Sequence, residues 1–236
     1  SVVLSIVQDT LGFMWFGTQD GLNRYDGRAF RTFNQVEGDP TSLSDTWVCS
    51  LALDAQGDLW AGTRQGGANR YDARKGTFIR YQHQEDVAGS LSDNNVHALF
   101  SDAQGRLWLG TNAGLDLFDP NTQTFSHYQL PDEDEFSVHA IAQDPQGMLW
   151  LGTPHALWRF DPAGSAFTSF TPDEKSFPVN AILAHPDGSL WLTGVGSGLL
   201  HFIPSSAEFT QYLEKEGVSE NTQGLWLDPS GSIWVG

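Results

Sequence analysis

The sequence contains one cysteine, Cys49, and two methionines in 236 residues, and only 12 lysines and arginines stand against 29 aspartates and glutamates. A single cysteine excludes an internal disulfide and any metal site built from several thiolates. The formal charge of −17 opposes binding to nucleic acid or to anionic lipid, where basic side chains must displace counterions. No apolar run approaches the roughly 20 residues that span a bilayer, and Ser1 opens no basic and apolar leader. The expectation is a soluble, already processed piece with no nucleic-acid partner and no direct membrane contact. Charged residues are also sparse at 17%, whereas 25 glycines, 11 prolines and 12% aromatics suit many short strands joined by tight turns.

Those turns recur at a fixed interval. Trp15, Trp60, Trp108, Trp150, Trp191 and Trp234 each follow a glycine by three positions, at spacings of 45, 48, 42, 41 and 43 residues. Three residues before each glycine stands Asp9, Asp54, Asp102, Asp144 or Asp228, with His185 in their place in the fifth copy. Gly17-Thr18, Gly62-Thr63, Gly110-Thr111 and Gly152-Thr153 follow the tryptophans, whereas the fifth copy reads Thr193-Gly194. A period of this length is the mark of a repeat architecture.

Each copy reads as four strands. In the third, Val96–Phe100 alternates, the turn Asp102–Gly105 returns the chain into Leu107–Thr111, and two further turns lead to strands near 115–119 and 124–128. A four-stranded meander cannot bury both of its faces alone, so successive sheets must stack radially. The expected fold is all-β, a β-propeller of four-stranded antiparallel blades in one region over 1–236, with blades near 1–43, 44–92, 93–135, 136–176, 177–218 and a partial 219–236. The count is five complete repeats and half of a sixth, read as a fragment of a longer propeller. The six tryptophans are then inter-blade packing residues and the five aspartates turn acceptors. One carboxylate per blade, pointing apart, makes no calcium site, and neither metal nor cofactor is expected.

Function is left to positions where the copies differ. At one place on the inner strand they carry Leu4, Cys49, His97, His139, Asn180 and Gln223, next to a uniformly small row of Ser5, Ser50, Ala98, Ala140, Ala181 and Gly224. Polar groups spent there, where apolar ones would pack, make His97, His139, Asn180 and Gln223 candidate ligand contacts. Two histidines fall short of a zinc site, and each could equally find a backbone partner. Trp47, Trp158 and Trp226 lie outside the signature and are candidates for stacking on a ligand, with packing against a loop as the alternative. Cys49 reads as a small core side chain. The connections 34–46 and 82–95 and the acidic 132–135 share the more variable face with the loops after Thr18, Thr63, Thr111 and Thr153, and binding residues concentrate on such loops.

The run Ser5–Asp9, then Gly12-Phe13-Met14-Trp15-Phe16-Gly17-Thr18, then Gly21-Leu22-Asn23-Arg24-Tyr25-Asp26-Gly27 resembles the two-component regulator propeller repeat, and Ser42-Leu43-Ser44-Asp45 and Ser90-Leu91-Ser92-Asp93 extend the resemblance. It implies a periplasmic sensor region of a hybrid histidine kinase or diguanylate cyclase, with seven blades to a propeller, of which this fragment would hold about five and a half; the repeat signature, the lack of a catalytic constellation and the acidic surface make the expected module non-enzymatic. It also implies a small-molecule ligand, in some members an oligosaccharide, and a possible homodimer through the parent protein. Two other readings stand beside it. One is a lyase similar to those that open streptogramin antibiotics with a histidine and magnesium, for which His97, His139 and His185 are the residues to test; the other is a protein-interaction scaffold.

Overall fold

The structure is a computed structural model, and it describes residues 2–131, 137–172, 177–219, 222 and 224–236. Gln223 and the acidic stretch 132–135 lie outside the described residues. Six antiparallel sheets follow one another in chain order. The first holds β1 (Val3–Gln8), β2 (Met14–Thr18), β3 (Gly21–Tyr25) and β4 (Phe30–Phe33), and the second β5 (Val48–Leu53), β6 (Leu59–Thr63), β7 (Ala68–Asp72) and β8 (Thr77–Tyr81). The third holds β9 (Val96–Ser101), β10 (Leu107–Thr111), β11 (Gly114–Asp119) and β12 (Thr124–Tyr128). The fourth comprises β13 (Ala140–Gln143), β14 (Leu149–Gly152), β15 (Leu157–Asp161) and β16 (Ala166–Phe170), and the fifth β17 (Ala181–Ala184), β18 (Leu190–Gly194), β19 (Gly198–Ile203) and β20 (Glu208–Tyr212). A last sheet has only β21 (Leu225–Leu227) and β22 (Ile233–Val235). These are the expected five four-stranded blades and a two-stranded half.

The chain divides into two compact units, Ser1–Gln129 and Leu130–Gly236. In the first, β1, β5 and β9 lie against one another; in the second, β13, β17 and β21 do. Within each unit the opening strand of a blade is therefore its inner one, and successive blades pack face to face.

The signature tryptophans fill the space between blades. Trp15 stacks on Phe33 of its own blade and meets Tyr71 of the next edge-on at 5.0 Å. Trp60 repeats this with Tyr81 and, at 4.7 Å, Phe118. In the second unit Trp150 packs between Phe170 and Phe202. Trp15, Trp60, Trp108 and Trp150 are at most 1% exposed, whereas Trp234 in the half sheet is 62% exposed. An indole buried this way needs a partner for its N–H. The repeat aspartates supply it.

Asp54 shows the device. Its Oδ1 accepts the backbone N–H groups of Gln56 and Asp58, at 3.0 and 2.9 Å, and its Oδ2 accepts the Trp60 indole N–H at 2.8 Å. The indole bonds recur as Trp15–Asp9, Trp108–Asp102, Trp150–Asp144 and Trp234–Asp228, between 2.7 and 3.0 Å. One carboxylate thus closes the first hairpin and caps the buried ring. In the fifth repeat His185 replaces the aspartate, and its Nδ1 lies 2.9 Å from Asp187, whose carboxylate the Ser189 hydroxyl and backbone N–H and His185 together hold down to about 2. Trp191 instead stacks on His201 at 4.4 Å. Cations also sit over the other rings: Arg24 over Trp15, Arg70 over Trp60 and, where Leu117 replaces that arginine, Arg106 of the turn over Trp108.

In repeats 1, 2 and 4 the glycine two residues after the tryptophan admits the next blade. A Cβ on Gly62 would fall 2.7 Å from both Val96 Cγ1 and Ser50 Oγ, and one on Gly152 would fall 2.4 Å from the Val179 carbonyl. In the fifth repeat Thr193 takes the glycine's place, and ahead of β21 Thr222 stands where the other repeats have valine.

Candidate functional site

The inner strands open with an irregularity that explains the variable row. In β1 the pairing runs from Val3–Thr18 to Ser5–Gly17, skipping Leu4; in β5 it skips Cys49, and in β9 His97. In the second unit the backbone N–H of His139 donates to Gly152 O and that of Asn180 to Thr193 O, each at 2.7 Å, although Ala140 and Ala181 are the residues paired there. Leu4, Cys49 and His97 are thus the extra residues of β-bulges, His139 and Asn180 stand at the same place just ahead of their strands, and the small residue after each carries the regular register. A bulge releases its side chain from the alternation of the strand and re-aims it. It does so at the blade end where the turn after the Gly-Thr pair and the incoming connection also lie.

In the first unit this end is built from two matching sets of residues. In repeat 2, Asp45 Oδ1 accepts the Trp47 N–H at 3.2 Å and Oδ2 accepts the Gln65 N–H at 2.9 Å, which ties the connection to the β6–β7 turn. The Arg64 N–H donates to Trp47 O at 3.1 Å, and the Arg64 guanidinium lies over the Trp47 ring at 4.5 Å. Repeat 3 keeps the frame and changes the side chains. Asp93 accepts the Asn95 N–H at 2.7 Å, the Asn112 N–H donates to Asn95 O at 3.3 Å, and the Asn112 amide oxygen lies 2.8 Å from His97 Nε2. Trp47, Cys49 and Arg64 therefore correspond to Asn95, His97 and Asn112.

This geometry suits stacking and hydrogen bonding. The Cys49 thiol is pushed up to about 11, chiefly by burial and then by the Asp45 carboxylate, with Arg64 opposing, so it is a poor nucleophile near neutral pH. Among the described residues no group of three or more histidine, cysteine or acidic side chains is placed to hold a metal ion.

The structure brings Trp47, Cys49 and His97 to one blade end of the first unit, and His139 and Asn180 to the equivalent end of the second, both half-buried. Trp158 is elsewhere: it is 7% exposed and packs edge-on against Phe167. It occupies the third-strand position filled by Asn69, Asp116 and Leu200 in repeats 2, 3 and 5, so its ring belongs to the blade interior. Trp226 is 58% exposed on β21 and pairs across the half sheet with Trp234. Sequence reasoning missed Asp45, Arg64 and Asn112. Aligning the repeats at the residue after each Gly-Thr pair would have shown Arg64 and Asn112 as a second variable position.

Three segments, residues 42–65, 90–113 and 134–155, match the family described as two component regulator propeller. A stretch of 44 residues is 46% identical to histidine kinase P4 of Formosa agariphila, covering 19% of this chain and 3% of that protein. The extracellular domain of a hybrid two component system from B. thetaiotaomicron superposes with a TM-score of 0.85 at 26% identity, over 99% of this chain and 32% of that one. Virginiamycin B lyase of Staphylococcus aureus shares the fold, with a TM-score of 0.72 at 14% identity, over 99% of this chain and 83% of the lyase. The chain thus spans about a third of the length of the two-component domain it matches. Among the described residues no helix is long and apolar enough to cross a membrane. The Gly-x-x-Trp copies, the indole-capping aspartates and the three matched segments agree: the chain carries repeats that match the two component regulator propeller at residues 42–65, 90–113 and 134–155.

Proposed function

We propose that the chain is an extracytoplasmic ligand-sensing propeller region of a membrane-bound two-component or cyclic-di-GMP signalling protein, located in the periplasm. The observation that carries the reading is the bulge row. Around it the blades share the signature residues, while the row Leu4, Cys49, His97, His139 and Asn180 and the turn beside it vary from blade to blade. A variable polar rim on a rigid frame is how a scaffold presents a binding site. The likeness to an extracellular domain of a hybrid two component system supports the same reading.

Within the first unit the rim of Trp47, Arg64, His97 and Asn112 suits a neutral polyhydroxylated ligand. The indole offers an apolar face, and the amide and imidazole offer donors and acceptors. The charge of −17 disfavours polyanionic sugars. A panel of neutral and acidic oligosaccharides tested by thermal shift checks this. A ligand at a hundredfold its Kd stabilises by about 2.7 kcal/mol, which raises Tm by roughly 5–11 °C in a chain of this size. Trp47→Ala and His97→Ala should abolish the shift without lowering the unliganded Tm by more than a few degrees. A ligand whose shift survives both changes would place the site elsewhere, and no shift across the panel would count against an oligosaccharide sensor.

A further inference from the structure

The connections ahead of repeats 2 and 3 are each fastened to their own blade by one cross-strand pair. In repeat 2 the pair is Asn69 on β7 opposite Arg80 on β8. The Asn69 amide exchanges hydrogen bonds with Ser44, accepting its N–H at 3.0 Å and donating to its hydroxyl at 2.8 Å. The Arg80 guanidinium donates to the carbonyls of Asp39, Ser42 and Leu43 at 2.7, 2.9 and 3.1 Å. In repeat 3 the same two positions carry Asp116 on β11 and His127 on β12. Asp116 Oδ2 accepts the Ser92 N–H at 2.8 Å, and the imidazole lies between Asp116 Oδ1, 2.8 Å from Nδ1, and Ala88 O, 3.0 Å from Nε2.

The protons in this arrangement can be counted. A backbone carbonyl only accepts, so Nε2 carries a proton and donates it to Ala88. The contact between Nδ1 and the carboxyl oxygen then requires one more proton, held on the ring or on Asp116. The fastened pair therefore binds one proton more than a carboxylate beside a neutral imidazole. With that proton lost, two lone pairs face each other, either across the Asp116 contact or across the Ala88 contact.

We propose that Asp116 and His127 form a pH-sensitive clamp on the connection 82–95, closed while the pair holds its extra proton and released as that proton leaves, whereas the Asn69–Arg80 clamp of repeat 2 is indifferent to pH. Asp116 is fully buried, and burial raises its carboxyl above the ordinary range, against the Ser92 and His127 hydrogen bonds that lower it. Ser92 and Thr111 place hydroxyls beside it, 2.8 Å apart. The other titratable or charged groups on the packed elements are His83, Glu85, Asp86 and Asp93 of the connection itself, Arg80 and Tyr81 of β8, His97 of β9, Asp119 at the end of β11 and Tyr128 of β12. His83 is turned to Leu91 O and Asp119 to the Asn121 N–H, Asp93 holds Asn95, and Glu85 and Asp86 are exposed. The connection ends at Asn95 and His97, so its release loosens the candidate rim. The released state is the one reached as the pH rises.

Amide hydrogen exchange on the 236-residue chain tests the clamp. Phe125 N–H donates to Gly89 O and Ser92 N–H to Asp116, while Phe78 N–H donates to Thr41 O and Ser44 N–H to Asn69. Between pH 5.5 and 8.5, after correction for intrinsic exchange, protection of Ser92 and Phe125 should fall roughly tenfold or more, as loss of a charge-assisted bond implies, while Ser44 and Phe78 hold theirs. The double variant Asp116→Asn, His127→Arg should make repeat 3 behave as repeat 2 does. If that variant fails to fold, the ring nitrogen shifts of His127 in the unaltered chain decide. Nε2 protonated at pH 5.5, with the pair's proton loss tracking the loss of Ser92 protection, upholds the clamp. Equal pH dependence in both repeats, an unprotonated Nε2 at pH 5.5, or proton loss without loss of protection overturns it.

Discussion

Replacing Asp54 with alanine removes three hydrogen bonds: those to the Gln56 and Asp58 N–H groups and that to the Trp60 indole. The indole is 0% exposed, and stranding its N–H costs about 1–3 kcal/mol. Gln56 and Asp58 are exposed, so their N–H groups turn to water and lose only the net worth of a bond, roughly 0.5 kcal/mol each at the low end of the usual range. The sum is about 3 kcal/mol, or a fall in Tm of roughly 6–12 °C by circular dichroism. Asp54→Asn keeps an acceptor for the turn but sets an amide NH2 against the indole, and should lose less than the alanine variant. Asp228→Ala is the internal control: the same three bonds exist there, but the Trp234 ring is 62% exposed, so its indole passes to water and Tm should hardly move. Equal falls for Asp54→Ala and Asp228→Ala would refute the argument that the aspartate acts by capping a buried ring.

Other consequences can be measured alongside. Gly62→Ala should cost about 1–3 kcal/mol by overpacking, because the added Cβ meets Val96 and Ser50 at 2.7 Å; the urea midpoint should fall, and Val96→Ala should recover part of the loss. With its thiol at about 11, Cys49 should be alkylated at pH 8 on the order of a hundredfold more slowly than a free thiol. Asp45→Asn should quicken that reaction and Arg64→Ala slow it, and a rate near that of free cysteine would contradict the buried placement. Asp228 is held down at about 2, first by the Ser230 hydroxyl and then by the Trp234 indole. Its support of the β21–β22 turn is complete above the ordinary carboxylate range and is lost as the pH falls through about 2. Trp234 fluorescence should report that transition, and it should be absent in Asp228→Asn.

Much of this was legible because a repeat states each structural requirement several times. Trp60 recurs in every copy because every blade must fill the gap to its neighbour, and Asp54 recurs because every hairpin must close. The second role of Asp54, accepting the indole N–H, was not legible, since a six-residue separation along the chain does not show that the two side chains meet. Nor was the bulge: the sequence aligned Cys49 and His97 in one row, but only the pairing shows that they stand outside the ladder. Trp158 fits the packing alternative for a related reason. It lies outside the signature, but its third-strand position faces the blade interior.

The period of the glycines, aspartates and tryptophans determined by itself that the chain folds into four-stranded sheets of one kind, because inter-blade packing imposes the same residues at the same intervals. Tertiary structure alone decided what the variable residues do. Whether His127 is a loose surface imidazole or a proton-bearing link depends on a carboxyl 11 residues away and a carbonyl 39 residues away. Such partners meet only once the strands have paired and the connection has folded back over them.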